Sequence, residues 1–300
     1  MGSDYRPSGV YVPLVTPFTQ DDGVDVHALE ALTASVLEAG ARGVVALATT
    51  GEPTSLTTEE RDGTVAAVAR VCAARGGELI VGAGTNDTRT TIVRHEALAE
   101  VPGVCASLAV VPYYVRPSEQ AIVRHFQLVA ERSPVPVVLY NIPYRTGRGL
   151  GAAALLELAA TPNVAGVKQA VGSIDSDTLE LLAGANEDFA VLGGDDAFLY
   201  PLTLMGGRGA VSASAHLCTE RFVAMIEAGL DGRLSEGRAH AEALLPLVRA
   251  LFAEPSPAPV KAVLHGQGRI PTPHVRMPLA DASPAAAERA IAAARAAAEA

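Results

Sequence analysis

Val164-Ala165-Gly166-Val167-Lys168-Gln169-Ala170-Val171-Gly172 is an apolar run that ends on a lysine and is turned away by a glycine. Short runs of Val, Ala and Leu without polar alternation suit parallel strands covered on both faces. The same kind of run recurs along the chain. Strands are expected at residues 10–15, 43–47, 79–82, 105–111, 135–140, 164–168, 189–192 and 209–212. Between them the apolar period changes to that of helices. Asp25 precedes Leu29, Leu32, Val36 and Leu37, which fall on one helical face. Thr57/Thr58-Glu59-Glu60 opens a second helix with a capping-type signal. Further helices are expected near 88–100, 118–132, 151–160, 175–185 and 196–205.

Eight strands, each followed by a helix, is the tally of a (β/α)8 TIM barrel. A doubly wound open sheet is the rival arrangement. No Gly-x-Gly-x-x-Gly follows the first strand, which weakens its dinucleotide-binding version. After the eighth strand the chain continues as helix at about 218–230, 234–252, 258–267 and 284–299, the last opened by Ser283-Pro284. We therefore expect a barrel core over residues 1–217. Residues 218–300 would add the last barrel helix and a C-terminal helical appendage, the whole forming one continuous unit.

Composition excludes several classes of function. Of 300 residues 49% are hydrophobic, enough for a large core, yet no apolar run reaches the ~18 residues that span a bilayer. The opening segment, Met1 to Pro7, lacks the basic and apolar regions of a secretory signal. Cys72, Cys105 and Cys218 are odd in number and set in apolar surroundings, as expected of thiols in a reducing cytoplasm. The net charge of −10, without a basic block, argues against nucleic acid and anionic membrane as partners. Seven scattered histidines offer no metal-ligand spacing.

In a barrel of this kind the chemistry lies at the carboxyl ends of the strands. Lys168 stands at one of them, and it is one of only two lysines among 23 basic residues. A desolvated lysine loses its proton readily and attacks carbonyls as a neutral amine, which arginine cannot do. The plainer reading is a lysine that closes a strand and reaches out to water. Ala48-Thr49-Thr50-Gly51-Glu52 follows the second strand, where two hydroxyls beside a glycine suit a carboxylate. Four of the seven tyrosines, Tyr113, Tyr114, Tyr140 and Tyr144, cluster at the ends of the fourth and fifth strands, where phenols can relay protons. Arg145 adds a fork for a second carboxylate, its alternative being a surface ion pair. Gly193-Gly194-Asp195-Asp196 ends the seventh strand. Adjacent aspartates diverge too much to suggest Mg²⁺, and Asp196 reads as a helix cap.

The ordered set Thr-Thr-Gly-Glu, Pro-Tyr-Tyr, Tyr-Asn-Ile-Pro-x-Arg-Thr-Gly, Gly-Val-Lys and Gly-Asp-Asp resembles the dihydrodipicolinate synthase/N-acetylneuraminate lyase family of class I aldolases. The resemblance extends from Pro13-Leu14-Val15-Thr16-Pro17-Phe18 to Pro259-Val260-Lys261-Ala262. It implies that Lys168 forms an imine with pyruvate and that no cofactor is needed beyond this covalent adduct. It implies an acid/base role for Tyr140, linked through Thr49 to Tyr114 of a neighbouring subunit, hence a dimer or dimer of dimers. Thr50 would hold the pyruvate carboxylate, and Gly194 and Val211 match positions lining the lysine pocket.

Arg145 within Arg-Thr-Gly resembles the synthase branch, which condenses the pyruvate enamine with aspartate 4-semialdehyde to give 4-hydroxy-tetrahydrodipicolinate on the route to diaminopimelate and lysine. A lyase or dehydratase of a 2-keto-3-deoxy sugar acid, working through the same imine, is the alternative enzyme. A keto-acid-sensing pseudoenzyme is the non-enzyme alternative. Two departures from the family pattern stand out. Gln169 replaces the usual glutamate after the lysine, which implies the loss of a charge near the lysine or the bound substrate, and Pro53 replaces a serine. Asn86 and Tyr113 match the family's lysine-effector site, but Thr90 stands where inhibitable members carry glutamate, so inhibition by lysine is expected to be weak or absent.

Overall fold

The structure is a computed structural model and describes residues 5–300. The segment read for a secretory signal begins in residues 1–4, which lie outside the described residues. Eight strands, β1 (Gly9–Pro13), β2 (Gly43–Ala46), β3 (Glu78–Gly82), β4 (Val104–Val110), β5 (Val137–Asn141), β6 (Val164–Gln169), β7 (Ala190–Gly193) and β8 (Gly209–Val211), follow one another in chain order around a closed parallel barrel. The (β/α)8 expectation holds, with each strand within three residues of where the apolar runs place it.

The helices are α1 (Val26–Glu38), α2 (Thr58–Arg75), α3 (Thr88–Glu96), α4 (Glu119–Arg132), α5 (Pro143–Thr146), α6 (Ala152–Ala159), α7 (Ser176–Gly184), α8 (Leu199–Leu204), α9 (Thr219–Leu230), α10 (Leu234–Leu251), α11 (Ala258–Gly266) and α12 (Pro284–Glu299). The caps read from sequence are present. Asp25 accepts from the Ala28 N–H, Thr57 and Glu60 exchange both bonds of a capping box, and Ser283 accepts from Ala286. The single turn α5 lies inside what the sequence suggests is only a strand end, because one turn is too short to show a period. Among the described residues no helix is long and apolar enough to cross a membrane.

The chain divides into two compact units, one of residues 80–211 with the segment ending at Gly9, the other of residues 10–79 and 212–300. In the first, Val137, Leu139, Val164, Val167 and Val191 pack with Ile122, Phe126, Val129, Leu155, Leu158 and Leu181 in a core between strands and helices. Alternation of side chains along a strand then sends Tyr140 and Lys168 to the opposite face. Register decides that they meet. Val137 pairs with Val164, but Val138 pairs with Gly166, so Ala165 is an extra residue and every later pair is shifted by one. Without this bulge Tyr140 would lie beside Val167; with it, Tyr140 pairs with Lys168. The next residue, Gly166, has to be glycine, because a Cβ there would fall 2.3 Å from the Ala190 carbonyl oxygen.

In the second unit α1 packs on α2, and α10 and α11 both pack on α12. The α12 face is made of Ala286, Ala290, Ala294 and Ala297, all buried, which allows close helix approach. Buried His216 joins two loops of this unit. Its Nε2 accepts from the Val15 N–H at 3.1 Å while Nδ1 donates to the Ala213 carbonyl at 2.8 Å. These two bonds require the neutral ring, and burial accordingly pushes its pKa down to about 4.

Candidate active site

Lys168 is the penultimate residue of β6 and is 5% exposed. Its Nζ lies 4.2 Å from the centre of the Tyr140 ring, the partner given to it by the β5–β6 register. Burial pulls the ammonium down to about 8, against the opposing pull of Asp196 and then Asp195. This side chain therefore does not reach out to water, and the plainer reading of Lys168 fails. Tyr140 is also 5% exposed.

Gly194, just after β7, makes the space for the lysine. A Cβ at that position would sit 2.8 Å from Lys168 Cε and 2.9 Å from Ala170 Cβ. Asp195 follows, and its carboxylate accepts from the Gly172 N–H at 2.6 Å, tying the turn after β6 to the turn after β7. Asp195, not Asp196, occupies the cap position of the 3-10 turn that begins there, which corrects the expectation for Asp196. Among the described residues no three His, Cys, Asp or Glu side chains gather as a metal set. Val211 is the last residue of β8 and is buried.

The loops after β4 and β5 are exposed at residues 114–116 and 144–145. Arg145 and Tyr144 lie in α5, and the Arg145 Nε donates to the Tyr144 hydroxyl at 3.0 Å, with the guanidinium 5.2 Å from that ring. Among the described residues no carboxylate pairs with Arg145, so its surface ion-pair alternative is not realised. Tyr114 has φ 70°, a strained backbone for a tyrosine, and is 86% exposed beside Val115 and Arg116.

In the other unit, Thr49, Thr50 and Gly51 form a 3-10 turn after β2. Thr50 is buried, whereas Thr49 is exposed. The turn is bracketed by two non-glycine residues in the left-handed region, Leu47 at φ 56° and Glu52 at φ 53°. Thr16 fastens it by donating from its hydroxyl to the Gly51 carbonyl at 2.8 Å.

Two features are not visible in the motifs. Gln169 does not share the face of Lys168. It lies with Val167 on the helix side, where its Oε1 accepts from Asn141 Nδ2 at 3.0 Å and its Nε2 donates to the Thr178 hydroxyl at 3.1 Å. The expected change of charge around the lysine is thus directed elsewhere, because alternation along a strand turns consecutive side chains to opposite faces. The second feature is Glu52, which is buried and paired with Lys261, 209 residues away in sequence. The available signal was that Lys261 is the other lysine of the chain.

The description "Dihydrodipicolinate synthetase family" matches this chain over residues 6–297. The 4-hydroxy-tetrahydrodipicolinate synthase of Neisseria meningitidis serogroup C (strain 053442) is 40% identical over 271 residues, which cover 90% of this chain and 92% of that one. The structure of the 4-hydroxy-tetrahydrodipicolinate synthase from the methanotroph Methylacidiphilum fumariolicum SolV superposes with a TM-score of 0.93 at 32% identity, covering 98% of this chain and 97% of that one. A dihydrodipicolinate synthase from Acinetobacter baumannii, crystallised in complex with pyruvate, gives the same TM-score of 0.93 at 32% identity over 97% of this chain and 99% of that one. With a match that runs nearly end to end, the chain belongs to the dihydrodipicolinate synthetase family.

Proposed function

We propose that this chain is a class I, Schiff-base-forming lyase that condenses pyruvate with aspartate 4-semialdehyde to give 4-hydroxy-tetrahydrodipicolinate. The observation that carries it is the buried Lys168 amine, set against Tyr140 and pulled down to about 8. At pH 7.5 such an amine is about one-quarter neutral, against about a thousandth for a free lysine.

The neutral amine attacks the keto carbon of pyruvate, and loss of water gives the imine. The imine is an electron sink, so a methyl proton leaves and an enamine forms. The enamine carbon attacks the aldehyde carbon of the semialdehyde, making the new C–C bond as the aldehyde oxygen takes a proton. The amino group of the semialdehyde then displaces Lys168, closing the ring and freeing the lysine. Tyr140, whose ring faces the lysine amine at 4.2 Å, would be the acid/base group, and the relay to solvent would run through Thr49 and Tyr114. Thr50 would hold the pyruvate carboxylate, with Gly194 and Val211 shaping the pocket and Arg145 taking the semialdehyde's carboxylate. Support for a homo-oligomer comes from Tyr114, whose strained and 86% exposed placement leaves its ring open to a neighbouring copy.

The test is turnover of pyruvate against a panel of aldehydes and sugar-acid adducts, with borohydride trapping and mass mapping of the adduct. Pyruvate label on Lys168 and turnover with aspartate 4-semialdehyde are expected. A label elsewhere, or turnover confined to a 2-keto-3-deoxy sugar acid, would overturn the assignment.

A further inference from the structure

This chain has only two lysines, and both are buried. Lys261, in α11, is 0% exposed. Its Nζ donates to Glu52 Oε1 at 2.5 Å and to the His274 carbonyl at 2.8 Å, and it faces the ring of Phe18 at 4.1 Å. An ammonium has three N–H bonds, and these three partners account for them. The flat fork of arginine has no place in so compact a set, which accounts for a lysine here in a chain whose other basic residues, Lys168 apart, are 21 arginines.

The second oxygen of Glu52 accepts from the Arg276 N–H at 2.8 Å. The Arg276 guanidinium continues outward. It lies 4.4 Å from the Phe18 ring, donates to both oxygens of Glu60 at 2.6 and 2.7 Å, and donates to the Ser55 carbonyl at 2.9 Å. Residues of the C-terminal region thus grip a single carboxylate at two points. That carboxylate belongs to the residue directly after Thr49-Thr50-Gly51, and its own backbone is left-handed. A left-handed conformation costs a non-glycine residue roughly 1–2 kcal/mol, and it persists only where its surroundings over-determine it. A buried ion pair is also a poor way to gain stability, since well-packed apolar residues often do as well. What the pair supplies, and apolar residues do not, is direction.

We infer that Glu52 and Lys261 are positioning residues for pyruvate binding: the pair holds the Thr49–Gly51 turn in the form that receives the carboxylate, so the C-terminal helices set affinity for the keto acid. This rests on the reading of Thr50 as a carboxylate-binding residue. The device acts through the turn and touches no reacting atom. Its signature is a rise in KM for pyruvate with the aldehyde's KM unmoved.

The experiment compares Glu52→Asp, the double variant Glu52→Gln/Lys261→Met, and Thr50→Val by melting temperature, steady-state kinetics for both substrates, and borohydride labelling of Lys168 at saturating pyruvate. The double variant removes both charges together, so no buried charge is left alone. Glu52→Asp keeps the pair but shortens its reach, and it serves if the double variant does not fold. Expected is a rise of about tenfold or more in KM for pyruvate, which corresponds to about 1.4 kcal/mol. Labelling of Lys168 should remain complete at saturation. Clamp variants that fold and keep the wild-type KM for pyruvate overturn the inference, as does a loss shared equally by both substrates. Thr50→Val separates the two failures. If it leaves pyruvate's KM unchanged, the reading of Thr50 falls and the inference with it; if it raises KM while the clamp variants do not, only the clamp falls.

Discussion

Lys168 Nζ stands 4.2 Å from the ring centre of Tyr140, and the two residues are paired across β5 and β6 only because Ala165 is bulged out of register. The same burial that makes the amine reactive costs stability. A lysine whose folded pKa is about 8 and whose unfolded pKa is about 10.5 is disfavoured in the native state wherever the unfolded chain is protonated. The penalty is complete below pH 8 and is relieved as pH rises from about 8 to about 10.5. Lys168→Met is therefore expected to abolish turnover and borohydride labelling while raising stability at pH 7 by roughly 1–3 kcal/mol. Denaturant unfolding at pH 7 and pH 10 measures this, and the gain should shrink at the higher pH. For the wild type, kcat/KM for pyruvate should climb with pH up to about 8 as the neutral amine accumulates.

Gln169 gives a prediction of opposite character. The Thr178 hydroxyl donates to Asp175 Oδ1 at 2.7 Å, so toward Gln169 Nε2 it has to accept. Asn141 supplies the other end, donating to Gln169 Oε1 while its own Oδ1 accepts from the Leu150 N–H at 3.0 Å. An amide fits this chain of bonds, but a carboxylate at 169 has no hydrogen to offer Thr178. Gln169→Glu should cost about 1–3 kcal/mol of stability and leave the pH midpoint of pyruvate turnover in place. A midpoint displaced by a full unit would show that residue 169 reaches Lys168 after all.

These cases separate what was legible in the sequence from what was not. Apolar runs and helical periods are local, so all eight strands and every long helix could be read from them. Lys168 was legible because its rarity and its place at a strand end coincide, and the tyrosines were legible by the same coincidence. The bulge at Ala165 was hidden, because register is a property of two strands, and Gly166 beside it reads equally as one more small residue of an apolar strand. The direction of Gln169 was hidden for the same reason. Lys261 sits in an ordinary helical segment, and nothing near it indicates that its partner lies 209 residues back.

Three buried histidines set the response to acid. The His125 ring is pushed down to about 4, first by burial and then by His95, and His216 is pushed to about 4 by burial; burial also lowers His95. Above the unfolded value of about 6.5 both states are neutral and stability does not depend on these rings. As pH falls from there toward 4, the unfolded chain takes up protons that the native rings refuse, and stability drops by up to roughly 3 kcal/mol for each of His125 and His216, with His95 adding in the same direction. Urea unfolding at pH 7 and pH 4.5 should show the loss, and His216→Asn should show less of it. An unchanged slope in that variant would remove His216 from the set.

Lysine as an effector is expected to act weakly or not at all. Thr90 lies in the first turn of α3, its N–H donating to Asp87 Oδ2 at 2.7 Å, and it offers no carboxylate to an α-ammonium. Calorimetry with free lysine should give no measurable heat at millimolar concentration, and turnover should be unaffected. Tight binding with matching loss of activity would refute this.

Tyr114 tests whether each site is completed by a neighbour. Its ring projects at 86% exposure from a strained loop, beside the exposed Val115. Tyr114→Phe keeps the ring and removes the hydroxyl, so it should leave the oligomeric state unchanged in sedimentation. Loss of a proton relay should lower turnover by about 10²-fold or more. Mixing then distinguishes a relay within one copy from one between copies. Lys168→Ala copies lack the amine but carry an intact Tyr114, and Tyr114→Phe copies carry the amine. If the relay crosses between subunits, co-refolding the two inactive variants rebuilds complete sites in mixed dimers, up to about a quarter of all sites at equal concentrations. If each copy uses its own Tyr114, no combination contains a complete site, and the mixture stays as inactive as its parts.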